Sequence, residues 1–279
     1  MIVRTYGVLT RKLNPSDRPV SLALLSDLHG AAQSETRREI LHAIEKMQPD
    51  VILLAGDMMN AKPDFDMGPL LMLLGGLVKI APVFSVNGNH ETRIREYTVS
   101  FGILYEEYTY ALGKLGITNL CNENEQLMAG GIPLRIYGYE LPLDKYVKFR
   151  RHKLASRDMH EKLGSCDTAS FSILLTHNPV FAPVYFDWGA DLILAGHYHG
   201  GLIRAGDRAL LSPYGVLFPK YGYGQYMNNE QSLIVSGGAG EHSIPLRVGN
   251  PREIVQIIID YKPVTEEILH GYSGKASRI

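Results

Sequence analysis

Along this chain, short apolar runs of strand length alternate with polar, glycine-containing turns. LALL (22–25) runs into Ser26-Asp27-Leu28-His29, VILLA (51–55) into Gly56-Asp57, and VFSV (83–86) into Asn87-Gly88-Asn89-His90. The pattern returns at ILL (173–175) before Thr176-His177-Asn178-Pro179, and at LILA (192–195) before Gly196-His197-Tyr198-His199. Continuous apolar runs bounded by turns suit strands buried on both faces. Helical periods lie between the early runs. Ser34 is placed to cap a helix that carries Ile40, Leu41, Ile44 and Met47 and stops near Pro49. Residues 66–79 and about 93–115 read as further helices. Strand–helix–strand order implies βαβ units and a layered α/β core.

The later chain changes character. Residues 201–260 show few helical periods, many turns and late strands at 232–236 and 253–260, which suit a second sheet packed on the first better than a second domain. The stretch 121–170 predicts a strand at 135–139 and a helix near 148–163, and the tail 264–279 reads as loosely held. There is no internal repeat and no low-complexity segment. The expectation is one domain over residues 1–279, with its core at about 20–260.

Composition narrows the partners. The 279 residues are 45% hydrophobic, enough for one sizeable core, and a net charge of −1 gives no global field to recruit nucleic acid or an anionic membrane. Cys121 and Cys166 match no CxxC pattern and are expected to be free structural thiols in a reducing compartment. The start, MIVRTYGVLTRKLNP, lacks a signal-peptide apolar region, so a cytoplasmic location is expected. The longest apolar stretch, 69–86, is broken by Lys79, Pro82 and the Gly75-Gly76 pair, whereas a membrane span needs about 20 apolar residues.

The strand ends carry the chemistry: Asp27 and His29; Asp57; Asn89 and His90; His177; His197 and His199. Open α/β sheets bind ligands beyond the carboxyl ends of their strands. Taken singly, each block is ordinary punctuation: Asp27 a turn or cap residue, Asp57 a cap, Asn89 a left-handed turn residue. Five such blocks in order are hard to attribute to coincidence. Several imidazoles with carboxylate and amide oxygens suit manganese, zinc or iron. The set exceeds what one tetrahedral ion needs and matches two ions about 3.5–4 Å apart sharing a carboxylate.

In order, Asp27-x-His29, Gly56-Asp57, Gly88-Asn89-His90-Glu91, His177 and Gly196-His197-x-His199 resemble the signature blocks of the calcineurin-like metallophosphoesterases. The resemblance implies a four-layer α/β/β/α sandwich and two divalent metal ions. Asp27, His29 and His199 would hold the first ion and Asn89, His177 and His197 the second, with Asp57 bridging. A metal-bridging hydroxide would attack phosphorus, and His90 would protonate the leaving oxygen, a role that suits an imidazole near neutral pH. Glu91 would orient a neighbouring imidazole. Two positions depart from the usual pattern: Tyr198 replaces a small polar residue and Asn60 a common Asp. Further along, Leu217-Phe218-Pro219-Lys220-Tyr221 and Ile244-Pro245-Leu246-Arg247 resemble the bacterial YkuE/YaeI-like branch.

The substrate implied is a small-molecule or lipid-linked phosphoester, a phosphodiester first and a nucleotide-linked lipid pyrophosphate (UDP-diacylglucosamine type) second. A metal-binding protein-interaction scaffold is the non-enzymatic rival, and the complete ligand set argues against it. The basic cluster Lys148, Arg150, Arg151, Lys153 and Arg157 reads as a solvated helix face, with an anionic substrate or membrane contact as the alternative. The Tyr- and Gly-rich stretch 214–226 is either a packed loop or a rim over the metals that brings Lys220 near a phosphate.

Overall fold

The computed structural model describes residues 1–147, 152–213, 215–241 and 246–263, and the backbone of 275–278. Its first half runs β1 (Ile2–Thr10), β2 (Val20–Leu25), α1 (Ser34–Met47), β3 (Val51–Leu54), α2 (Gly68–Leu77), β4 (Val83–Ser85), α3 (Asn89–Glu96), α4 (Thr98–Phe101), α5 (Leu104–Leu115) and β5 (Thr118–Asn119). Next come β6 (Glu123–Ala129), β7 (Ile132–Tyr139), α6 (Ser156–Leu163), β8 (Phe171–Thr176), α7 (Ala182–Trp188) and β9 (Leu192–Ala195). The chain ends with β10 (Ile203–Ala205), β11 (Arg208–Leu211), β12 (Gly224–Asn228), β13 (Gln231–Val235), β14 (Glu253–Tyr261) and β15 (Lys275–Arg278).

Two mixed sheets face each other. One has the order β15-β1-β14-β2-β3-β4-β5, the other β12-β13-β9-β8-β7-β6. The strand alternation shows why they stack. In β2, Leu22 and Leu24 enter the core between the sheets with Leu134, Ile136, Ile173 and Leu194. Ala23 and Leu25 turn the other way, onto Ile40 and Ile44 of α1 and Leu70 and Leu74 of α2. The second sheet sends Tyr137, Leu174 and Ile193 outward onto Met159, Tyr185 and Trp188. Each fully buried leucine or isoleucine among these contributes about 1.5–3 kcal/mol. The result is helix, sheet, sheet, helix, the four-layer α/β sandwich expected.

Several sequence expectations need correction. The helix at about 93–115 is three helices, broken at Tyr97 and again at Gly102, whose φ is 58°. The first helix is capped by Gln33 with no side-chain bond, Ser34 being its first helical residue, and it ends at Gln48 in the left-handed region. The late strand at 253–260 does not join the second sheet. It lies in the first, antiparallel to β2 and parallel to the unforeseen strand β1, because Val255, Ile257 and Ile259 all face the inter-sheet core. Of the predicted helix near 148–163, residues 152–155 are not helical and α6 begins at Ser156, while 148–151 lie outside the described residues. Within the tail, 264–274 is likewise outside them, and β15 pairs with β1 as an edge strand.

Candidate metal centre

Topology brings the five blocks together. Strands β2, β3 and β4 are parallel neighbours in the first sheet, and β8 and β9 are parallel neighbours in the second. Their carboxyl ends lie at the same edge of the sandwich. The loops are then zipped by main-chain bonds: Asp27 N–H donates to Gly56 O at 3.0 Å, His29 N–H to Asp57 O at 3.0 Å and Gly196 N–H to His177 O at 3.1 Å. Asp27, His29, Asp57, His197 and His199 all have positive φ, between 49° and 75°. Non-glycine residues rarely adopt this conformation, and it clusters where function constrains the backbone. Two glycines permit the crowding: a Cβ on Gly88 would clash with the Asp57 carboxylate, and one on Gly196 with that of Asp27.

Three overlapping clusters of ligand-type atoms result among the described residues, each within 4.8 Å: Asp27, His29 and His199 in one, Asp57, His177 and His197 in another, and His29, Asp57 and His90 between them. Asp57 joins them, since its Oδ2 lies 3.2 Å from His177 Nε2 and 3.9 Å from both His29 Nε2 and His90 Nε2. His29 and His199 are stacked with Nε2 atoms 2.9 Å apart, and Asp27 Oδ1 is 3.5 Å from the latter nitrogen. Asn89 is the first residue of α3, and its Oδ1 is buried with no hydrogen-bond partner. His177 donates from Nδ1 to Ala55 O at 2.7 Å, which turns Nε2 toward the cluster, buried and without a hydrogen bond. Buried polar atoms left unsatisfied need an explanation. A divalent ion held beside Asp57, His177 and His197 would supply one, and orienting an imidazole through its second nitrogen is how metal-binding histidines are held.

The electrostatics are those of charge packed away from water. Burial pushes the Asp27 carboxyl up to about 6, against the pull of His177. Asp57 is penalised by burial too, but His177, His90 and His29 outweigh that and hold it well below the usual carboxylate range. His177 is depressed by burial, yet Asp57 and Asp27 overcome this and raise it to about 9. His90 is lowered, by burial first. Its Nδ1 accepts the Ala61 N–H at 2.8 Å, so the neutral ring carries its proton on Nε2, the atom turned toward Asp57.

Glu91 does not orient an imidazole. Its carboxylate accepts backbone N–H groups from Asp57 at 3.0 Å, Met59 at 2.8 Å and Gly88 at 2.9 Å, clamping the β3 loop to the start of α3. Tyr198 packs its ring 5.3 Å from that of His197. Three contributors had no assigned role in the sequence reading. Tyr146 sets its ring edge-on to His197 at 5.1 Å, and no motif around it pointed to this. Arg247 donates to the carbonyls of Gly237, Gly240 and His199 and approaches His199 Nδ1 at 3.2 Å. Asn250 donates to His199 O and Gly201 O, both at 2.6 Å. Ile244 and Pro245 lie outside the described residues. Both cysteines are free, and burial pushes Cys121 up to about 12. Arg157 pairs with Glu161 at 3.4 Å on an exposed helix face and Lys153 is exposed, while Lys148, Arg150 and Arg151 lie outside the described residues. Among the described residues, no helix is long and apolar enough to cross a membrane.

Residues 20–201 match the family described as calcineurin-like phosphoesterase. A bovine transmembrane protein with metallophosphoesterase domain (Bos taurus) is 27% identical over 94% of this chain and 57% of its own length. The metallophosphoesterase YkoQ of Bacillus subtilis is 25% identical over 90% of this chain and 88% of its own. The chain thus spans just over half of the bovine relative and 52% of a similar one from Caenorhabditis elegans.

Proposed function

Because this chain belongs to the calcineurin-like phosphoesterase family, we propose that it is a metal-dependent phosphodiesterase whose reaction takes place where the five strand ends meet. The observation that carries this is the pair of Asp/His clusters joined through Asp57, with His90 alongside. In this reading Asp27, His29 and His199 hold one divalent ion, Asn89, His177 and His197 the other, and Asp57 both. Manganese, zinc and iron all suit such nitrogen and oxygen donors. When bound, the ions offset the charge of the phosphate oxygens and acidify a water at neutral pH.

The protein's own groups do the rest. His90 presents its Nε2–H toward the site, the position from which it would act as proton donor to the leaving ester oxygen. Arg247 and Asn250 fix the His199 turn, and Glu91 fixes the loop that carries Asp57. The segments 217–221 and 246–247 support a place in the YkuE/YaeI-like branch, and the continuous cores support one domain over residues 1–279. The test is hydrolysis of bis(p-nitrophenyl) phosphate by chelator-stripped protein with and without added Mn²⁺. Activity is expected only with the metal. Bound Mn²⁺ without hydrolysis of any diester removes the phosphodiesterase reading.

A further inference from the structure

One carboxylate near the candidate centre belongs to none of the ligand clusters, yet it is buried as deeply as Asp57. Glu140, like Asp57, is 3% exposed. It directly follows β7, which runs parallel to β8 with Tyr139 opposite Thr176, so Glu140 stands next to His177 in the second sheet. Its side chain reaches to the loops of the first sheet. Oε2 accepts the Asn87 Nδ2–H at 3.2 Å. Oε1 lies 3.2 Å from the Thr92 hydroxyl, which is itself 2.8 Å from Gly88 O. Arg95 completes the set, with Nη1 3.0 Å from Oε2 and Nη2 2.6 Å from Oε1. Asn87 is two residues before Asn89, and Thr92 and Arg95 belong to α3, which begins with Asn89 and His90. The carboxylate therefore spans the seam between the sheets where the proposed second ion takes Asn89 from one side and His177 and His197 from the other.

Stability alone does not account for a charge pair here. Loss of hydration offsets the attraction of a buried pair, and apolar side chains of similar volume serve a core as well. What the pair adds is geometry, because a guanidinium fork meets a carboxylate in one plane and one orientation. Glu91 ties the same turn to the loop after β3, within the first sheet, and so fixes it against Asp57. Glu140 supplies the connection to the second sheet. We infer that Glu140, held by Arg95, is a positioning residue that braces α3 across the seam and sets Asn89 and His90 against His177. This rests on the two-ion reading of the centre.

The test titrates metal-free protein with Mn²⁺ and follows free and bound ion by electron paramagnetic resonance, for the unaltered protein, Glu140→Gln and Arg95→Gln, with Tm measured for each. The unaltered protein is expected to bind two ions. In both variants the first ion is expected to bind as before and the second about 10–100-fold more weakly, the usual effect of losing a partner that orients a metal ligand. A merely structural role lowers Tm and leaves the ratio of the two affinities unchanged; that result, or no change at all, overturns the assignment. If Glu140→Gln does not fold, Arg95→Gln, whose side chain is 37% exposed, decides alone. Two bound ions without hydrolysis of any diester remove the phosphodiesterase reading and leave the brace intact. If the unaltered protein binds fewer than two ions, the two-ion reading fails. Crystal structures of the metal-free protein and of Glu140→Gln then decide the brace: Asn89 displaced from His177 supports it, and superimposable loops overturn it.

Discussion

Asp57 stands between the ligand clusters of the candidate centre. It faces His29, His90 and His177 through one oxygen and takes the His90 N–H on the other at 2.9 Å. Asp57→Asn keeps the shape and removes the charge, so both metal sites are expected to weaken, as metal content per protein after dialysis will show; full occupancy would exclude a bridging role. His90 differs, since its Nδ1 is taken by Ala61 N–H. His90→Ala is expected to keep the metals and lower turnover by about 10²–10⁴-fold, the usual worth of a positioned proton donor. Steady-state rates alongside metal analysis separate the two effects. These residues were legible in the sequence because each sits directly after an apolar run. Tyr146, Arg247 and Asn250 received no role there, because they reach the site through space and follow no strand-end pattern.

At the level of elements, helix α3 and the loop after β3 are tied through Glu91 and kept close by Gly88. A methyl on Gly88 would meet Asp57, so Gly88→Ala is expected to lose metal affinity as well as stability. Gly113 provides the contrast. It lies in α5, and a Cβ there meets nothing within 4 Å. Gly113→Ala is expected to stabilise the protein by about 0.5–1 kcal/mol, because alanine loses less backbone freedom than glycine on folding. Thermal unfolding of the two variants is expected to move Tm in opposite directions. The apolar runs showed the element types well. They did not show that the stretch before α5 breaks at Gly102, since its residues keep a helical period across the break.

For the whole molecule, the cost of gathering buried acids at one edge is visible in Glu91. Burial first, and Asp57 second, raise its pKa to about 7. In the folded state it therefore holds a proton that the unfolded chain releases near the ordinary glutamate value of 4.5. Between those two values the folded state binds more protons, so stability falls as pH rises, and the contribution levels off above about 7. Metal-free protein is expected to lose Tm across that window, and Glu91→Gln to flatten the loss; parallel pH profiles for the two proteins would exclude Glu91 as its source. The sequence by itself determined the alternation of strands and helices, the layered α/β class and the residues capable of metal binding, because burial periodicity and donor chemistry are local properties. Only the tertiary structure decided that β14 completes the first sheet between β1 and β2, that Asp57 joins two clusters, that Glu91 grips backbone amides, and that Glu140 reaches from the second sheet to Asn87 and α3. Those outcomes depend on which strands pair and which loops meet, and pairing is set by the total burial of two sheets facing one another.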